Sequence, residues 1–261
     1  RAVNQMDARL KEAEKLGFTQ AIIPAWKTSP GKTPAYNGTL KIIEISHLNE
    51  KLNVRDASHL LRRTGFGAHP FEVSTLVKMT RADGIAIILD GLKTKARLSK
   101  PDFVNENIPP YFIRHAIDEV ENEAEQHLYQ LRNSWVNEML ATPTPQVEKL
   151  TLFWHNHFVS SFEGVDEKTH LLYLQQNTFR EYGISNFKLL VQRMLLDPGL
   201  LLYLNNNTNV KENPNENLAR ELLELFTLGE GTYSENTVKE AARSLTGYSF
   251  NAAASSFTLP I

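Results

Sequence analysis

The chain has 261 residues, 41% of them hydrophobic, with 28 basic against 30 acidic side chains and a formal net charge of −2; this predicts a folded globular protein of one large or two smaller domains. The near-neutral, evenly mixed charge argues against nucleic-acid binding as the activity of the whole chain. With no cysteine, disulfides, thiolate metal sites and cysteine nucleophiles are excluded, and any metal is left to His, Asp and Glu. No apolar run reaches the ~20 residues of a membrane-spanning helix, and no signal segment opens the chain.

Residues 1–50 predict an amphipathic helix over 4–16, Gly17 as its stop, strands over 19–24 and 40–46, and a Pro/Gly/Thr/Ser loop between them, a short β-α-β-like appendage. The loop carries Pro30-Gly31-Lys32-Thr33, but Trp26 stands where a Walker loop needs its first glycine, so the phosphate-binding pattern fails. The strings Arg1-Ala2-Val3-Asn4-Gln5, Arg9-Leu10-Lys11-Glu12-Ala13-Glu14-Lys15-Leu16-Gly17-Phe18 and Ala21-Ile22-Ile23-Pro24 resemble the C-terminal end of the RadA (Sms) DNA-repair ATPases. That resemblance implies a DNA-repair role and a cytoplasmic setting, although the zinc finger and ATPase core of such proteins are missing. The start at Arg1 is read as a fragment or a processed product.

From residue 52 the apolar periodicity is helical, with helices predicted over 54–63, 70–79, 82–92, 110–140, 145–159, 167–182, 186–196, 215–229 and 234–245. Breaks are expected at glycines and prolines, among them Gly65, Gly67, Pro198-Gly199, Gly229 and Gly247. The tail 251–257 is small and polar and is expected to be loose. The first of these helices ends in Leu61-Arg62-Arg63-Thr64-Gly65-Phe66-Gly67. Its two arginines suit the negative end of the helix dipole, and the Gly-Phe-Gly corner is expected to flex.

Leu152-Phe153-Trp154-His155-Asn156-His157-Phe158 combines two imidazoles with three aromatic rings. On a helix, positions two apart point about 200° away from each other, so His155 and His157 do not chelate one ion between them unless the segment is extended. The plain reading is a hydrogen-bonded histidine beside an aromatic core. The functional reading has one of them meet an acid in space.

Between Asn215, a predicted N-cap, and Gly229, a predicted stop, Leu218, Leu222 and Leu225 recur at helical spacing, while Glu216, Arg220 and Glu224 stand four apart. This predicts a Glu–Arg–Glu ladder with Glu221 beside it, either a solvated salt-bridge row or the wall of a site. A further helix follows, with Ser234 as its N-cap and Gly247 beyond its end. No HExxH, G-x-S-x-G or G-x-G-x-x-G pattern is present.

Taken in order, the Leu-Arg-Arg-Thr-Gly-Phe-Gly opening, the Trp-His-Asn-His-Phe core and the 215–229 helix are similar to the bacterial family of unknown function DUF1800, over residues 52–250. The resemblance implies a mainly helical domain, usually exported and often encoded beside a sulfatase-like partner. Thr237 stands where that family has an acid, and Tyr248 where it has tryptophan. A later histidine-aspartate motif of the family is not in this sequence. The joining of the two resemblances near Glu50 is read as a chimeric or frame-shifted junction.

The expected architecture is therefore a mainly α, multi-helix domain over 51–261, preceded by a β-α-β-like appendage over 1–50. Three functions follow. The first is a metal- or acid/base-dependent hydrolase with His155, His157, Arg220, Glu221 and Glu224 as catalytic residues, and with His155, His157, Glu221 and Glu224 as ligands of a divalent metal. The second is a non-catalytic, envelope-associated module that binds a partner such as the sulfatase-like neighbour. The third is the DNA-repair role of the RadA-like segment.

Overall fold

A computed structural model describes residues 48–93, 101–105, 118–251 and 256–258, together with 10–11, 14–15, 19–24, 38–39 and 41–45. The protein is mainly helical, and it divides into two compact units, residues 1–59 with 69–87, and residues 60–68 with 88–261. The predicted helix over 4–16 lies mostly outside the described residues, with 10, 11, 14 and 15 helical. The loop around Gly31 lies outside them as well. The two predicted strands are present as β1 (Gln20–Pro24) and β2 (Lys41–Ile45), paired in parallel with Ile22 opposite Ile43.

The helix α1 (Val54–Thr64), whose first residues belong to the first unit, begins where the Asn53 side chain accepts the Asp56 N–H at 2.8 Å. The short α2 (Pro70–Leu76) is closed by a capping box between His69 and Glu72, and α3 spans Arg81–Gly91. Backbone bonds from Leu52 N–H to Met79 and from Arg81 N–H to Glu50 tie the entry of α1 to the entry of α3. An Arg81–Asp56 ion pair adds a side-chain tie between the same elements.

The second unit holds the long helices α4 (Asp118–Ala141), α5 (Pro145–His157) and α6 (Thr169–Tyr182). They are followed by α7 (Phe187–Met194), α8 (Pro198–Tyr203), α9 (Asn217–Glu221), a π-helical turn over Leu222–Thr227, and α10 (Glu235–Ser244). The start predicted at 167 is delayed to Thr169, because Asp166 and Glu167 are both left-handed, with φ of 50° and 58°. Pro198-Gly199, expected as a break, instead opens α8: Asp197 caps Leu200 N–H at 2.9 Å and Pro198 takes the first helical position, where its missing N–H costs nothing. The tail expected to be loose pairs as β3 (Ser249–Asn251) with β4 (Ser256–Thr258), antiparallel, Phe250 opposite Phe257.

Two apolar clusters share α8. Leu200 and Leu201 join Phe158, Phe179, Met194, Leu218 and Val238, while Leu202 joins Phe103, Leu131, Val165 and Leu171. Between α4, α5 and α6 lies a buried ion pair. Arg180 Nε and Nη2 donate to the two oxygens of Glu148, each at 2.7 Å, and Trp135 Nε1 donates to the same carboxylate at 2.7 Å. Both charged side chains are 1% exposed. Removing one partner leaves a bare charge in the interior, so Glu148→Gln is expected to cost about 3–5 kcal/mol. A paired Glu148→Leu/Arg180→Met variant is expected to recover most of that loss, with urea denaturation as the measurement.

Candidate functional site

The aromatic end of α5 and the segment after α9 meet in space. Trp154 Nε1 donates to Gly183 O at 2.8 Å, an approach that requires glycine, since a Cβ at 183 would lie 2.6 Å from the indole. His157 Nε2 lies 3.0 Å from Phe226 O, in the π-helical turn; a carbonyl only accepts, so Nε2 carries the proton. Phe153, Trp154, Phe158, Phe187 and Phe226 surround that imidazole with ring centroids 4.7–6.5 Å away.

His155 points elsewhere, as the two-residue spacing requires. Its ring meets Trp135 edge-on at 5.4 Å and Phe179 at 6.5 Å, and its Nδ1 is buried with no hydrogen-bond partner among the described residues. Burial holds its pKa below the ordinary imidazole value.

The 215–229 segment departs from a single α-helix. The Asn215 side chain accepts the Asn217 N–H at 3.0 Å, while Glu216 occupies the N-cap seat. After Glu221 the winding changes to i→i+5 bonding, marked by Leu228 N–H to Leu223 O and by Thr227 Oγ1 to Leu222 O. Gly229, with φ of 86°, ends it as expected. The wider turn removes Glu224 from the i+4 row, so the predicted ladder is only half formed. Arg220 donates to Glu216 at 3.1 Å and, through both terminal nitrogens, to Glu235 at 3.0 and 2.7 Å. Glu224 instead accepts the Tyr233 hydroxyl at 3.0 Å. The pairing with Glu235 raises the pKa of Arg220 and lowers that of Glu235; partial desolvation and Glu224 raise that of Tyr233. No hydrogen bond or ion pair reaches the half-buried Glu221 among the described residues.

An asparagine clasp holds this segment against α10. Asn206 Nδ2 donates to Leu245 O and Tyr248 O, Asn209 Nδ2 to Ala242 O and Asn206 Oδ1, and Asn209 Oδ1 accepts Asn215 N–H at 3.0 Å. Gly65, expected to flex, is buried against Pro145, and Lys149 Nζ donates to its carbonyl at 3.0 Å. The arginines Arg62 and Arg63 are exposed in the last turn of α1.

Sequence reasoning missed the buried polar groups that organise the unit: Trp135, Glu148 and Arg180, the clasp asparagines, and Asp197. Asp197 is fully enclosed, held by Gln175 Nε2 at 2.9 Å, while the same amide nitrogen reaches Ser160 Oγ at 3.0 Å. Desolvation raises its pKa from 3.8 to about 6. The one local signal was Asp197-Pro198, an N-cap followed by an N1 proline.

With this geometry in place, the comparisons with known proteins identify the family. The profile of the family described as "Protein of unknown function (DUF1800)" matches residues 59–259. The chain belongs to the DUF1800 family. No curated protein and no solved structure matches it at a significant level. Within this DUF1800 domain the five predicted site residues fall into separate environments. His157 and the π-helical turn are joined through a backbone carbonyl, and Arg220 through Glu216 and Glu235. His155 faces Trp135. No group of three or more His, Asp or Glu side chains among the described residues is arranged to hold a metal ion.

The shifts at the buried His155 and Asp197 act in opposite directions. The unfolded chain protonates His155 more readily than the folded one, so that contribution to stability is full above pH 6.5 and is lost as pH falls below it. Asp197 keeps its proton to higher pH when folded, so its contribution is full below pH 3.8 and is lost as pH rises through about 6, a change of about 3 kcal/mol at ~1.4 kcal/mol per unit. Urea unfolding across this range is expected to show His155→Phe flattening the acid-side decline and Asp197→Asn, which retains the cap, removing the decline toward neutral pH.

Proposed function

We propose that this DUF1800 domain is a partner-binding module that docks through the surface formed by the end of α5, the start of α7 and the π-helical turn. The observation that carries this reading is the exposure of large apolar side chains there: Phe153 is 57% exposed, Phe187 43%, Leu225 62% and Leu228 56%. They border a linked set of rings, Phe153 to Trp154 at 4.9 Å and Trp154 to Phe187 at 5.8 Å, with His157 joining them to Phe226. Clustered exposed apolar side chains are a usual mark of an interaction site. The polar candidates beside it are already engaged: His157 by a backbone carbonyl, Arg220 by two carboxylates and Glu224 by Tyr233.

The partner to test is a sulfatase-like protein of the kind to which the family resemblance points. Binding measured by calorimetry with the full chain is expected to weaken about tenfold or more in Phe153→Ser and Phe187→Ser, as befits aromatic anchors, with unchanged melting temperatures. A chain that does not bind the sulfatase-like protein would sink this reading.

The metal- or acid/base-dependent hydrolase reading is favoured by one observation, the unpartnered Nδ1 of His155. Metal content by mass spectrometry tests it in the full chain and in the His155→Ala and His157→Ala variants. Stoichiometric metal lost in either variant would displace the binding reading.

A further inference from the structure

Five glutamates and one arginine stand between Glu216 and Glu235, a formal net charge of −4 in a chain whose total is −2. The arginine does not offset the outer part of that charge, because Arg220 is held by Glu216 and Glu235. Glu224 is tied to Tyr233. Glu230 is exposed, and Glu221 is half-buried with no polar partner among the described residues. Lys211, five residues before Glu216, and Lys239 on α10, which acts on Glu235, are the nearest opposing charges in sequence.

Glu221 precedes Leu225 by four residues. Where the winding passes from i→i+4 to i→i+5 bonding, a turn holds about four to five residues, so the carboxylate and the exposed leucine share one side. Leu228, 56% exposed, lies three residues further on. Anything that covers Leu225 also removes water from Glu221. A neutral or acidic segment would leave that carboxylate desolvated and unpaired, at a cost of several kcal/mol by the general rule for buried charges. A segment that brings its own cation avoids this penalty and gains from the surrounding negative field on approach.

We infer that the π-helical turn receives a cationic amphipathic segment of the partner, with apolar side chains set against Leu225 and Leu228 and a lysine or arginine placed at Glu221. This rests on the binding reading above and names the chemistry of what binds.

The test uses the full chain and two fluorescent amphipathic peptides with identical leucine positions, one with lysine and the other with glutamate at its polar positions, followed by anisotropy. At low ionic strength the lysine peptide is expected to bind about tenfold tighter than the glutamate peptide, with the difference shrinking as salt screens the contact. Glu221→Gln is expected to reduce that preference about threefold or more, and Leu225→Ser/Leu228→Ser to abolish binding of the lysine peptide while the melting temperature holds. Equal affinity for the two peptides, or a preference unchanged in Glu221→Gln, overturns the inference. Binding of the sulfatase-like protein with no binding of either peptide also overturns it, and leaves the module reading standing. Failure of all three ligands overturns the module reading itself.

Discussion

The second unit is organised around two opposite charges enclosed in its interior. Glu148 and Arg180 come from different helices, and neither tolerates burial without the other, because a lone ion in a dry medium loses its hydration with nothing in return. Their two-point contact, with Trp135 as a third partner on the carboxylate, admits one relative placement of α4, α5 and α6. Arg180 also lies over the Trp135 ring at 5.9 Å. The pair need not be the most stabilising arrangement of those positions; it specifies register, and the far end of α5 is carried to its place as a consequence.

That far end is where the candidate surface is built. Once α5 is set, Trp154 reaches Gly183 and His157 reaches Phe226 O, so one imidazole closes the contact between α5 and the π-helical turn. The histidine answers a local need there, an acceptor near the end of a helical segment whose winding has changed. The entry to the segment, at Asn215, is held by the asparagine clasp, in which two amides 1% and 2% exposed satisfy the backbone at the end of α10. The segment is thus fixed on its inner side through Leu218 and Phe226, while Leu225 and Leu228 are exposed and Glu221 is half-buried. This combination, a braced backbone with an apolar and acidic outer side, is what the proposed recognition rests on.

Much of the local structure could be read directly. Ser234 caps α10, and Gly229 and Gly247 adopt positive φ, because capping depends on residues a few positions apart. The divergence of His155 and His157 was legible for the same reason, since it follows from helical geometry alone. Where the local signal was ambiguous, the reading went astray: Pro198 opens a helix where a break was expected, and Gly65 is packed where flexibility was expected. The Glu216–Arg220–Glu224 row failed at its third member because the winding changed within it, which residue spacing does not reveal.

From its sequence alone this chain declares a mainly helical protein and, through three unusual strings, its family. Those properties reside in periodicity, caps and residue order, all of them short-range. Tertiary structure alone decided that Glu148 pairs with Arg180, that Arg220 turns to Glu235, that Asp197 is enclosed with Gln175, and that His157 Nε2 is bound to a carbonyl. Each of these joins residues that are distant in sequence, and the enclosed ones follow from the requirement that a polar group removed from water find a partner. Which partner it finds depends on how the helices pack, and packing is not written in residue spacing.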